Sequence, residues 1–358
     1  MSLTATAPLP APVVTATVRP VRMVLLGVNF GALIARNLAS GTPHIELAGL
    51  CDLDVPRVTA LATELKVPTY ASLDEVLADP TVEAVGLFTG PAGRARLIER
   101  ILEAGKHVMT TKPFELDPEE ARRAFATADR TGLALHLNSP GTKPASDLAL
   151  MRRWLAEADL GRPVALQGRT WANYQEKADG GWADDPKRCP GGSLFRLGVY
   201  LMNEFAALPG QPTSAYVQHA RLRTGRPTPD NAQISIAYDT GAVANIFASF
   251  CINDGHPYAD EIHLACERGV IRRWVERTGK SDMSGDHAVV ELVRPGKPVE
   301  RHETKPGDFA GWYDWIAFHD AVRGVPGAIR HNADVTITGV RMLHAMSRSI
   351  ASGLPETV

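Results

Sequence analysis

The sequence predicts an α/β chain in which a parallel sheet with crossover helices is followed by an α+β part built on a large antiparallel sheet. From residue 22 to about residue 140, short apolar strands alternate with helical patterns, as in sheets joined by right-handed crossovers. Beyond Pro144 the strands become longer, and turn signals such as Asp239-Thr240-Gly241 separate several of them. A chain of 358 residues is long enough for two domains that each bury a core.

The first domain is expected over residues 21–140, after an extended, non-catalytic N-terminal arm over residues 1–20. Its predicted strands cover residues 23–27, 45–51, 84–88, 107–110 and 134–138. Helical patterns lie between them, near residues 30–40, 55–65, 72–79, 91–105 and 117–131. The last helix has a clear start, because Asp117 suits the N-cap, Pro118 the first turn and Glu120 a capping box.

The second domain is expected over residues 141–358. A helix over residues 145–158 precedes predicted strands over residues 163–171, 214–223, 233–238, 242–250, 261–266 and 288–293. Two further helices, near residues 309–323 and 333–352, close the chain.

Bulk properties exclude several classes of partner. A net charge of −2 with 22% charged residues gives no reason to expect binding to nucleic acid or to an anionic membrane. No apolar run approaches the roughly 20 residues of a membrane span. The four cysteines show neither pairing nor metal-ligand spacing, and the histidines form no metal-spaced cluster. We therefore expect a cytoplasmic protein with free thiols and no metal site.

The segment around Gly27 predicts a dinucleotide site. An apolar strand ends at Gly27, and a helical pattern begins after Gly31, so backbone N–H groups and a helix N-terminus would meet a pyrophosphate. Between the glycines, Asn29 stands where the middle glycine is usual, and Phe30 completes the turn. Asparagine tolerates left-handed backbone geometry better than most residues, so we expect Asn29 to adopt it here. Asp52 ends the second strand, where a carboxylate suits the ribose of NAD and repels the extra phosphate of NADP.

Several later motifs carry a resemblance to a known family. They are Leu102-Glu103-Ala104-Gly105-Lys106-His107-Val108, Lys112-Pro113 and the run from Gly191-Gly192 to Val199-Tyr200. With the Gly27 turn and Asp52, they make the chain resemble the glucose–fructose oxidoreductase / inositol dehydrogenase (Gfo/Idh/MocA) family from about residue 22 to the end. The resemblance implies a Rossmann domain, an open-faced antiparallel sheet and an active site in the cleft between them.

The resemblance also implies roles for individual residues. Lys112 falls at the family's site lysine, and Tyr200 falls where histidine or tyrosine acts as the acid–base group. We expect the Lys112 ammonium to lower the pKa of the Tyr200 phenol and to hold both the cofactor ribose or amide and the substrate hydroxyl. The alternatives are a surface lysine and a tyrosine packed against the sheet. Asn203, close by on the same helix, would bind substrate or make a packing contact.

Further contacts are expected around the cleft. Leu53, Thr89 and Gly90 would lie against the cofactor, with Gly90 standing where proline is usual in the family. Trp182 lies in the loop before the Tyr200 helix, where it would stack on a sugar ring or remain solvated. Lys143, after the strand that ends at Asn138, is a candidate substrate contact.

Three positions depart from the family pattern. Arg196 replaces an aspartate, four residues before Tyr200, so that both side chains would share one helix face. Thr111 replaces a glutamate, and Arg94, which we place at the cofactor, replaces a histidine. These changes make the pocket more electropositive, so either the substrate is anionic or the chemistry has drifted. Alternatively, Arg196 turns away and pairs with Glu204 or a neighbouring loop acid.

The leading hypothesis is therefore an NAD(H)-dependent dehydrogenase acting on a secondary alcohol of a sugar, sugar acid or polyol. The second hypothesis is a sensor or scaffold protein of the same fold that binds NAD and sugar without turnover; the loss of the two carboxylates favours it, and the retention of Lys112 and Tyr200 opposes it. In either case an open-faced sheet must be covered, so we expect a homodimer or homotetramer.

Overall fold

The first domain contains a six-stranded parallel sheet in the order β3-β2-β1-β4-β5-β6. The computed structural model describes residues 18–174, 176–206, 208–256, 258–277, 286–304 and 313–358. The strands are β1 (Val21–Leu26), β2 (Ile45–Cys51), β3 (Thr69–Tyr70), β4 (Ala84–Leu87), β5 (His107–Thr110) and β6 (Leu135–Leu137). The five predicted strands are confirmed, whereas β3 was missed because two residues carry no periodicity. The predicted arm lies outside the described residues up to residue 17.

Five helices cover this sheet. They are α1 (Gly31–Ala39), α2 (Val55–Leu65), α3 (Leu73–Ala78), α4 (Arg94–Glu103) and α5 (Pro118–Thr131). The predicted Asp117 N-cap and the position of Pro118 are confirmed, since the Asp117 carboxylate accepts the backbone N–H groups of Glu119 and Glu120. The Glu120 carboxylate accepts from Arg96 instead of closing a capping box. Strand order reverses between β1 and β4, and in open α/β sheets ligands bind in the crevice at such a point. The Gly27 turn lies at this crevice.

The second domain contains a nine-stranded sheet in the order β14-β13-β12-β11-β7-β10-β9-β8-β15. Its strands are β7 (Pro163–Ala172), β8 (Pro212–Ala220), β9 (Asn231–Tyr238), β10 (Val243–Ser249), β11 (Tyr258–Cys266), β12 (Gly269–Glu276), β13 (His287–Val293), β14 (Glu300–Thr304) and β15 (Glu356–Thr357). The sheet is mixed rather than purely antiparallel as predicted, because β7 and β10 pair in parallel. The sequence reading missed β12, β14 and β15.

Helices cover one face of this sheet. They are α6 (Ser146–Glu157), α7 (Val199–Phe205) and α9 (Ala333–Ser352), and a π-helical turn, Leu194–Gly198, leads into α7. Gly168 on β7 allows α7 to approach closely, since a Cβ there would lie 3.0 Å from Leu201 and 3.1 Å from Phe205. On the other face, alternate side chains such as Gln167 and Arg169 are exposed.

The last two helices connect the domains. Helix α8 (Trp315–Val322) follows the predicted second domain in sequence but packs on the first sheet, with Phe318 in the same apolar cluster as Met23 of β1. Helix α9 contributes Val340 to the first core and Met346 to the second. The predicted boundary at residue 140 therefore separates the two sheets but not the two cores. The part of the predicted helix from 309 to 312 lies outside the described residues.

A buried ion network explains why β12 was missed. The pair Arg272-Arg273 interrupts the apolar pattern, yet Arg273 is almost completely buried because it binds Asp147 of α6, at 2.8 Å, and Asp260 of β11. Arg272 is exposed on the opposite face of the strand.

Replacing Arg273 with Met should lower the free energy of unfolding by about 3–5 kcal/mol, because two buried carboxyl groups lose their counter-ion. Urea denaturation measures this difference. Arg272→Met is the matched control on the neighbouring residue and should change stability by no more than about 0.5 kcal/mol. Equal losses in the two variants would show that the buried network does not stabilise the fold.

Candidate active site

The turn after β1 has no room for a side chain at Gly27. Its φ angle is +94°, and a Cβ there would lie 2.9 Å from the carbonyl carbon and oxygen of Phe88. The Gly27 N–H donates to the Cys51 carbonyl at 2.9 Å. Glycine therefore lets the turn pass directly over the end of β4, as a pyrophosphate-binding turn requires.

The expected left-handed conformation of Asn29 is wrong. Among the described non-glycine residues only Lys66 and Asp159 have positive φ, so Asn29 fits the turn with ordinary backbone geometry and an exposed side chain. Phe30 follows at the N-cap of α1, with its ring edge-on to Phe88 at 6.4 Å between centroids. The start of α1 at Gly31 thus presents backbone N–H groups and the positive end of the helix dipole to the crevice.

Asp52 lies beside this turn, as predicted. Its Oδ2 accepts the Val28 N–H at 2.6 Å, and its Oδ1 accepts the Asp54 N–H at 2.8 Å. Each carboxylate oxygen keeps a second acceptor site, so the group can still receive ribose hydroxyls. The next residue, Leu53, is fully exposed and makes no contact that would orient it toward a cofactor. The Gly27 turn, α1 and Asp52 together fit NAD.

Arg94 does not face the cofactor or the substrate, which corrects its predicted role. The side chain is buried, and its guanidinium donates to the carbonyl oxygens of Thr111, Pro113, Phe114 and Thr89. Burial lowers its pKa to about 10, which leaves it protonated at neutral pH. Arg94 therefore fixes the loop that carries Lys112 to the loop that carries Thr89. Gly90, after Thr89, is exposed. The nearest atom to a Cβ added at this position is a guanidinium nitrogen of Arg188, at 3.9 Å.

Lys112 lies where the two domains meet. Its backbone N–H donates to Asn138 Oδ1 at 2.9 Å, and its Nζ donates to the Arg196 carbonyl oxygen. The Nζ atom also lies 4.3 Å from the centroid of the Tyr200 ring. Burial, with the nearby Arg196 and Arg94 cations, lowers the pKa of Lys112 to about 7. A lysine of this kind can both accept and donate a proton near neutral pH.

Tyr200 contacts Lys112 as predicted, but the expected pKa shift is wrong in sign. Burial, together with the neighbouring Tyr313 and Tyr174, raises the pKa of the phenol well above its usual range, and Asn138 opposes this only partly. The ammonium lies over the ring face, where it makes a cation–π contact rather than stabilising a phenolate oxygen. Tyr200 therefore stays protonated at neutral pH and can donate a hydrogen bond.

Arg196 precedes α7 rather than lying on it with Tyr200. It belongs to the π-helical turn Leu194–Gly198 that leads into this helix. Its carbonyl faces Lys112, while its guanidinium turns away and binds Glu176 through two hydrogen bonds of 2.6 and 2.7 Å. The alternative kept open above, pairing with a loop acid, is the one observed. The cluster of three unpaired cations, on which an anionic substrate was argued, is absent from the described part of the chain.

The remaining predicted substrate contacts divide into two groups. Asn203 is buried, and its amide donates to the Ser139 carbonyl at 2.9 Å and to the Ser139 hydroxyl at 3.1 Å, so it makes a packing contact. Trp182 is partly buried and packs edge-on against Phe195, with 6.5 Å between ring centroids. Lys143, in contrast, is exposed at the rim of a cavity of about 200 Å³ that Tyr200 and Asn203 also line.

Sequence reasoning missed three residues of the site. Asn138 joins Lys112 to Tyr200, and its position at the end of a strand could have indicated a site residue. Glu176 pairs with Arg196 from a loop that has no periodic pattern. Tyr313 packs edge-on against Phe88, with 5.5 Å between ring centroids, and lies close to Thr111. The Thr111 hydroxyl donates to Asn138 Oδ1 at 3.3 Å.

Other kinds of site are absent from the part of the chain that the structure describes. No group of three or more His, Cys, Asp or Glu side chains could hold a metal ion there. The four cysteines are free. None of the helices that could be searched has the length and apolarity needed to cross a lipid bilayer.

Comparison with known proteins identifies the class and then the family. The Gfo/Idh/MocA model, described as an oxidoreductase family with an NAD-binding Rossmann fold, matches residues 21–139. The model of the Gfo/Idh/MocA C-terminal domain matches residues 148–272. The protein therefore belongs to the Gfo/Idh/MocA family.

Individual relatives are distant. The 1,5-anhydro-D-fructose reductase of Ensifer adhaerens is 26% identical over 78% of this chain and 81% of its own length. An inositol dehydrogenase homologue from Azotobacter vinelandii, solved with NAD⁺, is 18% identical, with a TM-score of 0.75 over 95% of this chain and 98% of that one. The WlbA dehydrogenase of Bordetella pertussis, solved with NADH and UDP-GlcNAcA, is 17% identical, with a TM-score of 0.71 over 95% and 99%.

At these identities the solved structures show a common fold. The chain spans about half the length of the first curated relatives that it matches, 42% of one and 46% of another.

Asp52 should make the protein prefer NAD to NADP, and Asp52→Ala should narrow the ratio of the two affinities by about tenfold to a hundredfold. The reason is that the NAD ribose hydroxyls donate to the Asp52 carboxylate, and a hydrogen bond to a charged group contributes about 1.5–3 kcal/mol. Calorimetric titration with NADH and NADPH measures the ratio. Asp54→Ala is the control, because it removes the N-cap of α2 but leaves Asp52 in place, and it should not change the ratio. Equal or tighter NADPH binding by the wild type contradicts the prediction.

Proposed function

We propose that this oxidoreductase transfers a hydride between NAD and a secondary alcohol carbon of a sugar or polyol. The observation that carries the proposal is the buried Lys112 ammonium, with a pKa lowered to about 7, at the junction of the NAD-binding domain and the large sheet. The carbohydrate activities named for relatives support this choice of substrate class.

The cofactor would be held by the features that fit it. The Gly27 turn and the N-terminus of α1 would receive the pyrophosphate, and Asp52 would receive the ribose hydroxyls of the adenosine half. NAD, when bound, supplies the nicotinamide carbon that accepts or returns the hydride. Thr89 and Gly90, at the carboxyl end of β4, would border the nicotinamide side of the crevice.

Lys112 would exchange the substrate proton. Because its pKa is lowered to about 7, the lysine can exist as the neutral amine, which accepts the alcohol proton in oxidation; the ammonium form returns a proton in reduction. Asn138 fixes the backbone of Lys112, and Arg94 fixes the loop around it. Tyr200 stays protonated, so we assign it a hydrogen bond to the substrate oxygen rather than the role of base.

The substrate would be neutral. Arg196 has its own carboxylate partner in Glu176, and Glu176 also binds Arg226 at 3.3 Å. Since this network is already balanced within the protein, an anionic substrate would have to displace a two-point ion pair. A neutral hydroxylated ligand requires no such exchange.

The outer face of the nine-stranded sheet would form the interface of a homodimer or homotetramer. Trp171, Phe247 and Trp274 stand on this face, partly buried by their neighbours, and Val243 is exposed there. Aromatic residues on an otherwise polar face are typical of subunit interfaces. Light scattering at micromolar concentration should therefore give a mass of two or four chains, and Trp274→Glu should lower it. A monodisperse wild-type monomer contradicts this proposal.

Replacing Lys112 with Met should reduce turnover by about 100- to 10,000-fold while leaving NADH affinity within a few fold, since a single acid–base group contributes that much. The assay follows NADH absorbance with a panel of neutral sugars and polyols. Lys112→Arg should fail as well, because a guanidinium does not release its proton near neutral pH. A sugar that binds without any redox change in the wild type would instead support a non-catalytic sensor, which the loss of the aspartate at position 196 favours.

The rate of alcohol oxidation should rise with pH through the pKa of Lys112, about 7, because the neutral amine is the active form. The reverse reaction should fall over the same range. Arg196→Gln removes a cation that lowers this pKa and should move both profiles to higher pH. Glu176→Gln leaves Arg196 without its counter-ion and should move them to lower pH. If the pH profiles of kcat/KM of Arg196→Gln and Glu176→Gln do not shift in opposite directions from the wild type, Lys112 is not the titrating group.

A further inference from the structure

A cavity of about 200 Å³ lies behind Tyr200, on the side of the second domain. Its walls come from the loop after β6, from α6 and α7, from β12 and from the start of α9. Because one water molecule occupies about 30 Å³ in the liquid, the space can hold a group of several heavy atoms. Tyr200 and Asn138 belong both to this cavity and to the surroundings of Lys112, so the cavity adjoins the reaction site.

One buried polar atom in the wall has no partner from the described chain, and a second belongs to a side chain that is only partly paired. Asn138 is 5% exposed; its Oδ1 accepts the Lys112 N–H and its side chain interacts with the Tyr200 hydroxyl, although its Nδ2 makes no hydrogen bond of good geometry. On α7, Oε2 of Glu204 is also buried and reaches no donor. Leaving such a group unpaired costs about 1–3 kcal/mol, which a ligand with matching groups would recover.

The charges of the wall favour a neutral ligand. Arg152 of α6 is half-buried and acts electrostatically on Glu204 across the cavity. Arg273 is already bound to Asp147 and Asp260, so three carboxyl groups face two guanidinium groups here. Lys143 reaches only the rim. With Glu204 protonated at neutral pH, the two aspartates balance the two guanidinium groups, and a hydroxyl can donate to Glu204 and accept from Asn138 or Arg152.

We propose that this cavity binds a hydroxyl-bearing part of a neutral sugar or polyol, remote from the reacting carbon, and that Glu204 is the residue that selects it. The inference rests on the proposed function for the identity of the ligand as substrate. Burial, with Asp260 and Asp147 close by, raises the pKa of Glu204 to about 8. A carboxyl that is protonated at neutral pH both donates and accepts a hydrogen bond, so it can pair with a hydroxyl group in either role.

The test is calorimetric binding of myo-inositol, D-glucose and D-glucuronate to the NADH-loaded protein. Glu204→Ala should weaken binding of the neutral probes by about tenfold or more, as expected for a lost buried hydrogen bond. Glu204→Gln, which can still donate and accept, should restore most of the affinity. Ala145→Leu fills the cavity from the opposite wall and should weaken binding as Glu204→Ala does. Arg153→Gln, on the exposed side of α6, is the control and should have no effect.

The outcomes separate this inference from the proposed function. Neutral-probe affinities that do not change in Glu204→Ala and Ala145→Leu overturn the inference even if the enzyme turns over a sugar. Tighter binding of D-glucuronate than of the neutral probes, or no binding of any probe to the wild type, overturns it too. Binding that depends on Glu204 without any redox change supports the cavity site and refutes the dehydrogenase.

Discussion

Burial of the Lys112 ammonium between the two sheets is the constraint on which the site depends. A lysine removed from water must either find hydrogen bonds or lose its charge, and here it does some of both. The Arg196 carbonyl accepts from its Nζ, the Tyr200 ring covers one side, and burial shifts its titration to near neutrality. The loop that carries it cannot drift, because Arg94 binds carbonyl oxygens on both sides of the crevice.

The ion pairs around this lysine decide which charges remain for a ligand. Arg196 would raise the local potential sharply if it were unpaired, but Glu176 holds both of its terminal nitrogens. The carboxylate partner of this guanidinium thus comes from a loop of the same chain. The site keeps one titratable amine, and the Arg196 cation beside it is paired with a carboxylate. This arrangement suits proton exchange with a neutral alcohol.

The sequence indicated the fold well because strand–helix alternation and the Gly27 turn are local signals. It also selected Lys112 and Tyr200, which the structure brings into contact, and Asp52, which lies at the Gly27 turn, while their roles stay predictions. It left two orientations of Arg196 open, pocket cation or partner of a loop acid, because a guanidinium shows its partner only in three dimensions. Arg94 looked like a pocket cation for the same reason, although its actual partners are backbone carbonyls. The sign of the Tyr200 pKa shift depended on burial, which raises the pKa and exceeds the opposing effect of the Asn138 hydrogen bond.

The path of the last two helices has a consequence for how the molecule holds together. Helix α8 fills the core under the first sheet, and α9 supplies apolar side chains to both cores. A fragment that ended near residue 140 would lack Phe318 and Val340, which complete its interior. The nucleotide-binding half is thus a unit of architecture but not a unit of folding, and loss of either half on heating or in denaturant exposes apolar surface of the other. Unfolding is expected to be a single cooperative event.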